Sequence, residues 1–409
     1  MQILFVATNL PVPPNSGQSI RSLSILRALA ASGHTLNFIS FASKSRLEDL
    51  HPLPSFCSSI DLLDREMRNL TLQTDYLPRL KCLLKLKCYS IERFRCEAMY
   101  KRIEANLNGA KYDLIVCDGI YALVNIPRTT IPIFLNCHNV EFMILRRYAE
   151  IERNPVKKYY ATLESNLMRM AERNGCRQIA GAMACSQIDL EILQKLQPDL
   201  SISVIPNVVD TDSIQPLNSA RLQGTDPVLF FQGVMDWYPN RDAVEFFARG
   251  IFPRVRAEYP EARFVVAGRN PPSDFVEKFK SDPKIEFTGT VSDMRPYLAA
   301  ATVVIVPLRL GGGTRIKILE ACAAGKPIVS TSIGAEGLDL ASGKEILLAD
   351  DPAEFARSVV NLLRDPVRCN ALAESARTAV VERYSQLTLK NTVDTFFVKH
   401  FTGAAPGVS

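Results

Sequence analysis

The residues best suited to chemistry lie in one run, Val304-Ile305-Val306-Pro307-Leu308-Arg309-Leu310-Gly311-Gly312-Gly313-Thr314-Arg315-Ile316-Lys317-Ile318-Leu319-Glu320-Ala321-Cys322-Ala323-Ala324-Gly325. The pattern is an apolar strand, a triple glycine, a helix and a glycine cap. Glycines before a helix leave its first N–H groups uncovered, and those groups carry the positive end of the helix dipole. Arg315 and Lys317 add full positive charge beside Gly311, Gly312, Gly313 and Thr314, so the run predicts a cradle for a diphosphate. Glu320, farther along the same helix, is placed to accept hydrogen bonds from a ribose or sugar hydroxyl. Lys317 and Glu320, three residues apart, also fit a helix-surface ion pair worth about 0.2–0.5 kcal/mol. A purely structural loop has little need of three consecutive glycines, which favours the ligand site.

Other segments offer partners for such a site. After the apolar start Ile3–Ala7 comes Thr8–Gln18, a proline-rich turn in which Gly17 would let a ligand approach a helix N-terminus. His138, in Asn136-Cys137-His138-Asn139-Val140-Glu141, follows a predicted strand, where ligand sites of α/β folds collect, and Asp118-Gly119 is a similar position. Gly233, Arg241 and Arg269 follow later strands, and Trp237 and Tyr238 either line a cleft or pack a core. No G-x-G-x-x-G follows the first strand, and Gly325-Lys326 lacks the rest of a P-loop, which argues against dehydrogenases and P-loop kinases. The ten cysteines form no C-x-x-C pair and read as reduced thiols, while four scattered histidines give no metal cluster.

Positioning these residues takes two domains, the natural expectation for 409 residues of ordinary composition. Short β-branched runs alternate with helical patterns, which predicts parallel βαβ units. The first series has strands at Ile3–Ala7, Thr35–Phe41, Leu114–Cys117, Ile133–Asn136, Ala182–Ala184 and Ile202–Ile205. A helical stretch over Phe142–Cys176 is expected to break at Pro155. The polar, irregular segment Ser213–Pro227 is the expected link. A second series follows at Val228–Gln232, Arg263–Ala267, Ile285–Thr288, Val303–Val306 and Pro327–Ser330, with helices over Arg241–Glu258, Ser273–Lys280, Met294–Ala301 and Thr314–Ala324. The expected division is 1–212, 213–385 and a last amphipathic segment from 386 to 401, before a disordered tail.

In these features the chain resembles the family 4 glycosyltransferases, and within them a subgroup similar to exopolysaccharide-system sugar transferases with a G-G-G-T-R-x-K-x-L-E run. Further matches are Ile205-Pro206-Asn207-Val208-Val209-Asp210, Phe230-Phe231-Gln232-Gly233, Val265-Val266-Ala267-Gly268 and Phe287-Thr288-Gly289. The resemblance covers nearly the whole chain and implies an α/β GT-B architecture, two Rossmann-like doubly wound domains facing across a cleft. It implies an acceptor-side first domain, a donor-binding second domain, and a last helix that crosses back to the first. The implied reaction is metal-independent, retaining transfer of a hexose from a nucleotide-diphosphate sugar to a glycan or lipid-linked acceptor. That sugar is a co-substrate; no cofactor and no nucleic acid is expected. The resemblance makes His138 and Glu320 the catalytic candidates.

Two departures stand out. The family's donor site usually carries two glutamates with seven residues between them; the second matches Glu320 and the first falls on Gly312. The Arg and Lys that commonly follow the Gly233-type glycine are replaced by Val234–Asn240, so Arg315 and Lys317 are expected to take over the diphosphate. A non-catalytic scaffold of polysaccharide assembly and a nucleotide-sugar epimerase are the alternatives.

Charge is uneven: residues 1–200 hold 25 lysines and arginines against 19 acids, residues 201–409 hold 23 against 24. Within the basic half, Arg79–Arg102 has eight basic and two acidic residues interleaved with apolar ones, fitting either a solvated helix face or a surface for anionic lipid. The N-terminal segment lacks a basic leader and no apolar run reaches spanning length. A cytoplasmic location, with peripheral contact on the inner face of the membrane, is the expectation.

Overall fold

In the computed structural model, residues 1–43, 50–64, 76–216, 226–312 and 314–402 are described. Gly313, most of the expected link (217–225) and the tail from 403 lie outside the described residues. The chain divides into two compact units, residues 1–206 with 389–409 and residues 207–388.

The first unit is built on a seven-stranded sheet: β1 (Gln2–Ala7), β2 (Thr35–Ala42), β3 (Ser59–Asp64), β4 (Leu114–Asp118), β5 (Ile133–Asn136), β6 (Gly181–Ala184) and β7 (Ser201–Val204). All pairings are parallel, in the order β3-β2-β1-β4-β5-β6-β7. Strands β4, β5 and β6 are buried along their whole length, the near-continuous apolar character of parallel strands covered on both faces. β3, a partly exposed edge reading Ser-Ile-Asp-Leu-Leu-Asp, gave no clear strand signal and was not anticipated. Pro155 does break the long helical stretch, into Glu141–Ile151 and Pro155–Cys176, and Asn154 caps the second helix by accepting from the amides of Val156 and Lys157. From Leu389 the helix Gln386–Thr402 belongs to this unit, where Phe396, Phe397 and His400 set their rings edge-on to Phe134 of β5.

The second unit carries a six-stranded parallel sheet: β8 (Val228–Gln232), β9 (Arg263–Ala267), β10 (Ile285–Gly289), β11 (Val303–Val306), β12 (Ile328–Ser330) and β13 (Leu347–Leu348), ordered β10-β9-β8-β11-β12-β13. Its core is rich in phenylalanine, with Phe230, Phe231, Phe247, Phe252, Phe264 and Phe355 fully buried. The expected single helix over Arg241–Glu258 is instead two helices, Tyr238–Phe246 and Phe252–Glu258, joined by a π-turn at Phe247–Ile251. Pro253 has no amide to continue the helical ladder, and Gly250 before it weakens the turn. The two ends of this unit are stitched together: the Val209 amide donates to the Tyr384 carbonyl (3.0 Å), and Arg377 donates to the Ile214 carbonyl and to Gln215 Oε1 (2.8 and 2.9 Å).

Candidate functional site

Both strand orders reverse direction once, at β1/β4 in the first unit and at β8/β11 in the second. Connections leave such a switch point in opposite directions and open a crevice at the carboxyl ends of the strands. The sequence-predicted residues collect at these two places.

In the second unit the crevice is floored by the loops after β8, β9 and β11. The ends of β8 and β9 touch through glycines: a Cβ on Gly268 would stand 1.7 Å from the Gly233 carbonyl oxygen, a backbone contact that only a glycine permits. A Cβ on Gly233 would meet the Asn240 amide at 2.8 Å. Lys317, in the helix Ile316–Ala323, donates from Nζ to Asn240 Oδ1 (2.9 Å) and lies 4.3 Å from the centre of the Phe231 ring. Glu320, one turn on, accepts from Gln232 Nε2, while Gln232 Oε1 is buried with no hydrogen-bond partner among the described residues. Lys317 and Glu320 therefore face separate partners instead of forming the surface ion pair that their spacing allowed.

Burial, helped by the neighbouring charge of Arg315, pushes the Lys317 ammonium down to about 7. Burial pushes the Glu320 carboxyl up to about 7, against the opposing pull of Gln232 and Lys317. Both groups are desolvated to the point of titrating near neutrality, as is common where a site awaits a charged ligand.

The remaining predicted residues are placed as follows. Arg315 is the N-cap of the helix; its guanidinium turns back to donate to the Gly312 carbonyl and lies against Gly311. Thr314 is buried, its hydroxyl accepting from Asn207 Nδ2 (2.6 Å). The Arg269 carbonyl receives the Met235 amide (2.9 Å), and the Arg269 Nε is buried without a partner among the described residues. Arg241 donates to the Met235 carbonyl (2.8 Å). Trp237 and Tyr238 are 50% and 40% exposed, so they are not core residues of the unit.

In the first unit, the helix Gly17–Ala31 follows β1 and begins at the exposed Gly17. Its start is less bare than the glycine alone implied, because Ser16 and Ser19 form a reciprocal capping box that takes up the Ser19 amide. Behind it runs a buried polar chain. Arg21, only 2% exposed, donates from Nε to Asn136 Oδ1 (2.8 Å) and from its two Nη atoms to the carbonyls of Ile205 and Met183 (2.7 and 3.2 Å). Asn136 donates on to Asp118 Oδ1 (2.7 Å), Ser22 donates to Asp118 Oδ2 (2.7 Å), and His138 Nε2 lies 3.0 Å from Asp118 Oδ1. Burial raises the Asp118 carboxyl, but His138, Ser22 and Asn136 together outweigh it and hold the group below the usual carboxylate range. Both buried ring nitrogens of His138 lack a partner in hydrogen-bond geometry among the described residues, Nε2 meeting Asp118 as a close charge contact.

Gly119 joins Asp118 to this arrangement at φ +86° and ψ 155°, a conformation open almost only to glycine, and its Cα faces the His138 ring, 3.2 Å from where a Cβ would stand. Gly119→Ala is expected to cost about 1–3 kcal/mol and to lower Tm by several degrees, measured by thermal unfolding.

Sequence reasoning missed Gln232, Asn240, Arg21 and Asn136 as members of these clusters. The one available signal was a polar residue closing an apolar strand, as in Phe230-Phe231-Gln232 and Phe134-Leu135-Asn136.

Residues 15–213 match the model for Glycosyltransferase Family 4, and residues 226–365 match that for Glycosyl transferases group 1. An uncharacterised 44.6 kDa protein of the cps region of Klebsiella pneumoniae is 22% identical over 401 residues, covering 94% of this chain and 96% of its own. Among solved structures, sucrose-phosphate synthase from Thermosynechococcus elongatus superposes with a TM-score of 0.74 at 17% identity, over 99% of this chain and 100% of the other. Anabaena HepE in complex with UDP and glucose gives 0.68 at 16% identity, over 98% and 100%. These likenesses establish the GT-B fold, two Rossmann-like α/β domains.

Proposed function

Because the chain belongs to the family 4 glycosyltransferases, we propose that it moves a hexose from a nucleoside-diphosphate sugar to a glycan or lipid-linked acceptor in exopolysaccharide synthesis, with retention and without a metal. The observation that carries this reading is the Lys317–Asn240 and Glu320–Gln232 cluster at the β8/β11 switch point. Lys317, Arg315 and the amides at the start of their helix meet the diphosphate, where negative charge grows as the glycosidic bond breaks. Preorganised positive groups of this kind stabilise the departing diphosphate. Glu320, with Gln232 fixing its carboxyl, holds a ribose or sugar hydroxyl. His138, held beside Asp118 on the first unit, offers Nδ1 to a hydroxyl of the acceptor. The departing phosphate serves as the base for the acceptor hydroxyl. HepE, the similar protein solved with UDP and glucose, supports a nucleotide-sugar donor.

Gly312, where the family's first glutamate is absent, is the feature that favours a non-catalytic scaffold instead. Incubating the protein with UDP-, GDP-, ADP- and dTDP-sugars, with and without a membrane extract as acceptor source, separates the readings. Acceptor-dependent release of nucleoside diphosphate, insensitive to EDTA, is expected. Turnover of donor alone would point to an epimerase or hydrolase, and binding without turnover under every condition to the scaffold.

A further inference from the structure

The short helix Tyr76–Leu84 in the first unit is turned inside out. Leu77, Leu80 and Leu84 share one face, at the i, i+3, i+7 spacing, and are 66%, 38% and 78% exposed. The opposite face turns Leu83 toward the core and Arg79 onto aromatic rings: the Arg79 guanidinium sits 4.6 Å from the centre of the Tyr89 ring and donates to Tyr160 Oη (3.0 Å). A helix on a water-facing surface buries its leucines and exposes its arginine. Here the leucines are in solvent, and the turn that follows adds Leu86, 73% exposed.

Charge surrounds this apolar face. Lys81 lies beside it on the helix, and Lys85 and Lys87 flank Leu86; all three are exposed. Tyr160 belongs to the helix Pro155–Cys176, whose first turns expose Val156 and Tyr159 around Lys157 and Lys158. Much of the basic stretch is engaged within the unit: Arg95 and Lys87 both pair with Glu92, Lys101 pairs with Glu97 and Arg102 with Asp61. No helix among the described residues is long and apolar enough to cross a membrane.

We infer that the face formed by Leu77, Leu80, Leu84 and Leu86 is a docking surface for an anionic lipid bilayer, with the leucines entering the acyl boundary and Lys81 and Lys85 meeting the headgroups. Apolar side chains rimmed by lysines match the two layers of such an interface, apolar below and negative above. The surface stands independently of the transfer reaction, because vesicle binding is measured without donor or acceptor.

The test is flotation of the full chain with vesicles of phosphatidylcholine alone or mixed with phosphatidylglycerol, at low and high salt. Wild type is expected to float with the mixed vesicles, roughly tenfold less with phosphatidylcholine alone, and less at high salt. Leu77→Ser with Leu84→Ser, and separately Lys81→Glu with Lys85→Glu, should each cut the bound fraction about tenfold with Tm unchanged. Failure of wild type to float, or flotation of the leucine variant equal to wild type, overturns the inference. So does sedimentation showing a dimer that the leucine substitutions convert to a monomer, because the face would then be covered by a second copy.

Discussion

Asp118→Asn is expected to lower kcat about 100-fold or more while leaving KM for the donor within a few-fold. The carboxylate sits 3.0 Å from His138 Nε2 and is held in its charged form by Ser22 and Asn136, so it fixes which imidazole nitrogen faces inward. Its removal frees the ring to turn or to change tautomer. Groups that orient a hydroxyl or share a proton in the transition state contribute typically 10²–10⁴-fold. His138→Ala should cost at least as much, and the double variant little more than His138→Ala, because two members of one unit do not add. The expected stability cost of Asp118→Asn is about 1–3 kcal/mol, since an amide NH₂ replaces an acceptor in a buried network. Transfer rates of the three variants, each checked for folding, measure this. Full additivity would show that Asp118 and His138 act separately.

Lys317→Met is expected to weaken nucleoside-diphosphate binding by about 10- to 150-fold and to raise Tm by a few degrees. The affinity loss follows from removing a charge-assisted contact of about 1.5–3 kcal/mol. The gain in stability follows from the depressed ammonium: its pKa falls from an ordinary 10.5 to about 7 on folding, so the charged form is penalised in the fold. That penalty is complete below pH 7, where Lys317 is charged in both states, and fades as pH rises toward 10.5, where the unfolded chain also loses its proton. The Tm gap between Lys317→Met and wild type should therefore be widest at pH 6–7 and close toward pH 10. Binding of a diphosphate restores the charge, so wild type should take up a proton on binding at pH 8, seen as a buffer-dependent heat in calorimetry that the methionine variant lacks. Equal affinities would show that Lys317 does not meet the diphosphate.

The run Gly311–Glu320 was legible in the sequence because its whole logic is local: glycines, helix start and charge lie within ten residues, just past the strand Val303–Val306. So was the alternation that builds two parallel sheets. Partnership across the fold was not legible. Nothing near Lys317 in sequence announces Asn240, 77 positions away, and without it the i, i+3 ion pair with Glu320 was the natural local alternative. Arg21 reads as an ordinary helix residue until the fold places the carbonyls of Met183 and Ile205 around its guanidinium. The stretch Arg79–Arg102 was visible as a charge count, but which groups would be neutralised by Asp61, Glu92 and Glu97, and which leucines would face out, depended on tertiary packing.

The stitching of Val209 to Tyr384 has a consequence for how such chains diversify. A segment whose beginning and end are joined within itself can be lifted from one gene and set into another with two cuts, and its host meets the same pair of splice points whatever lies between them. Residues 207–388 are such a segment, an insertion carried by a first unit whose own chain resumes at Leu389. Exchange of this block between relatives would replace the residues around Lys317 and Glu320 as a set while leaving His138, Asp118 and the leucine face untouched. Recombination would then reassort the Lys317 cluster and the His138 cluster as separately inherited traits.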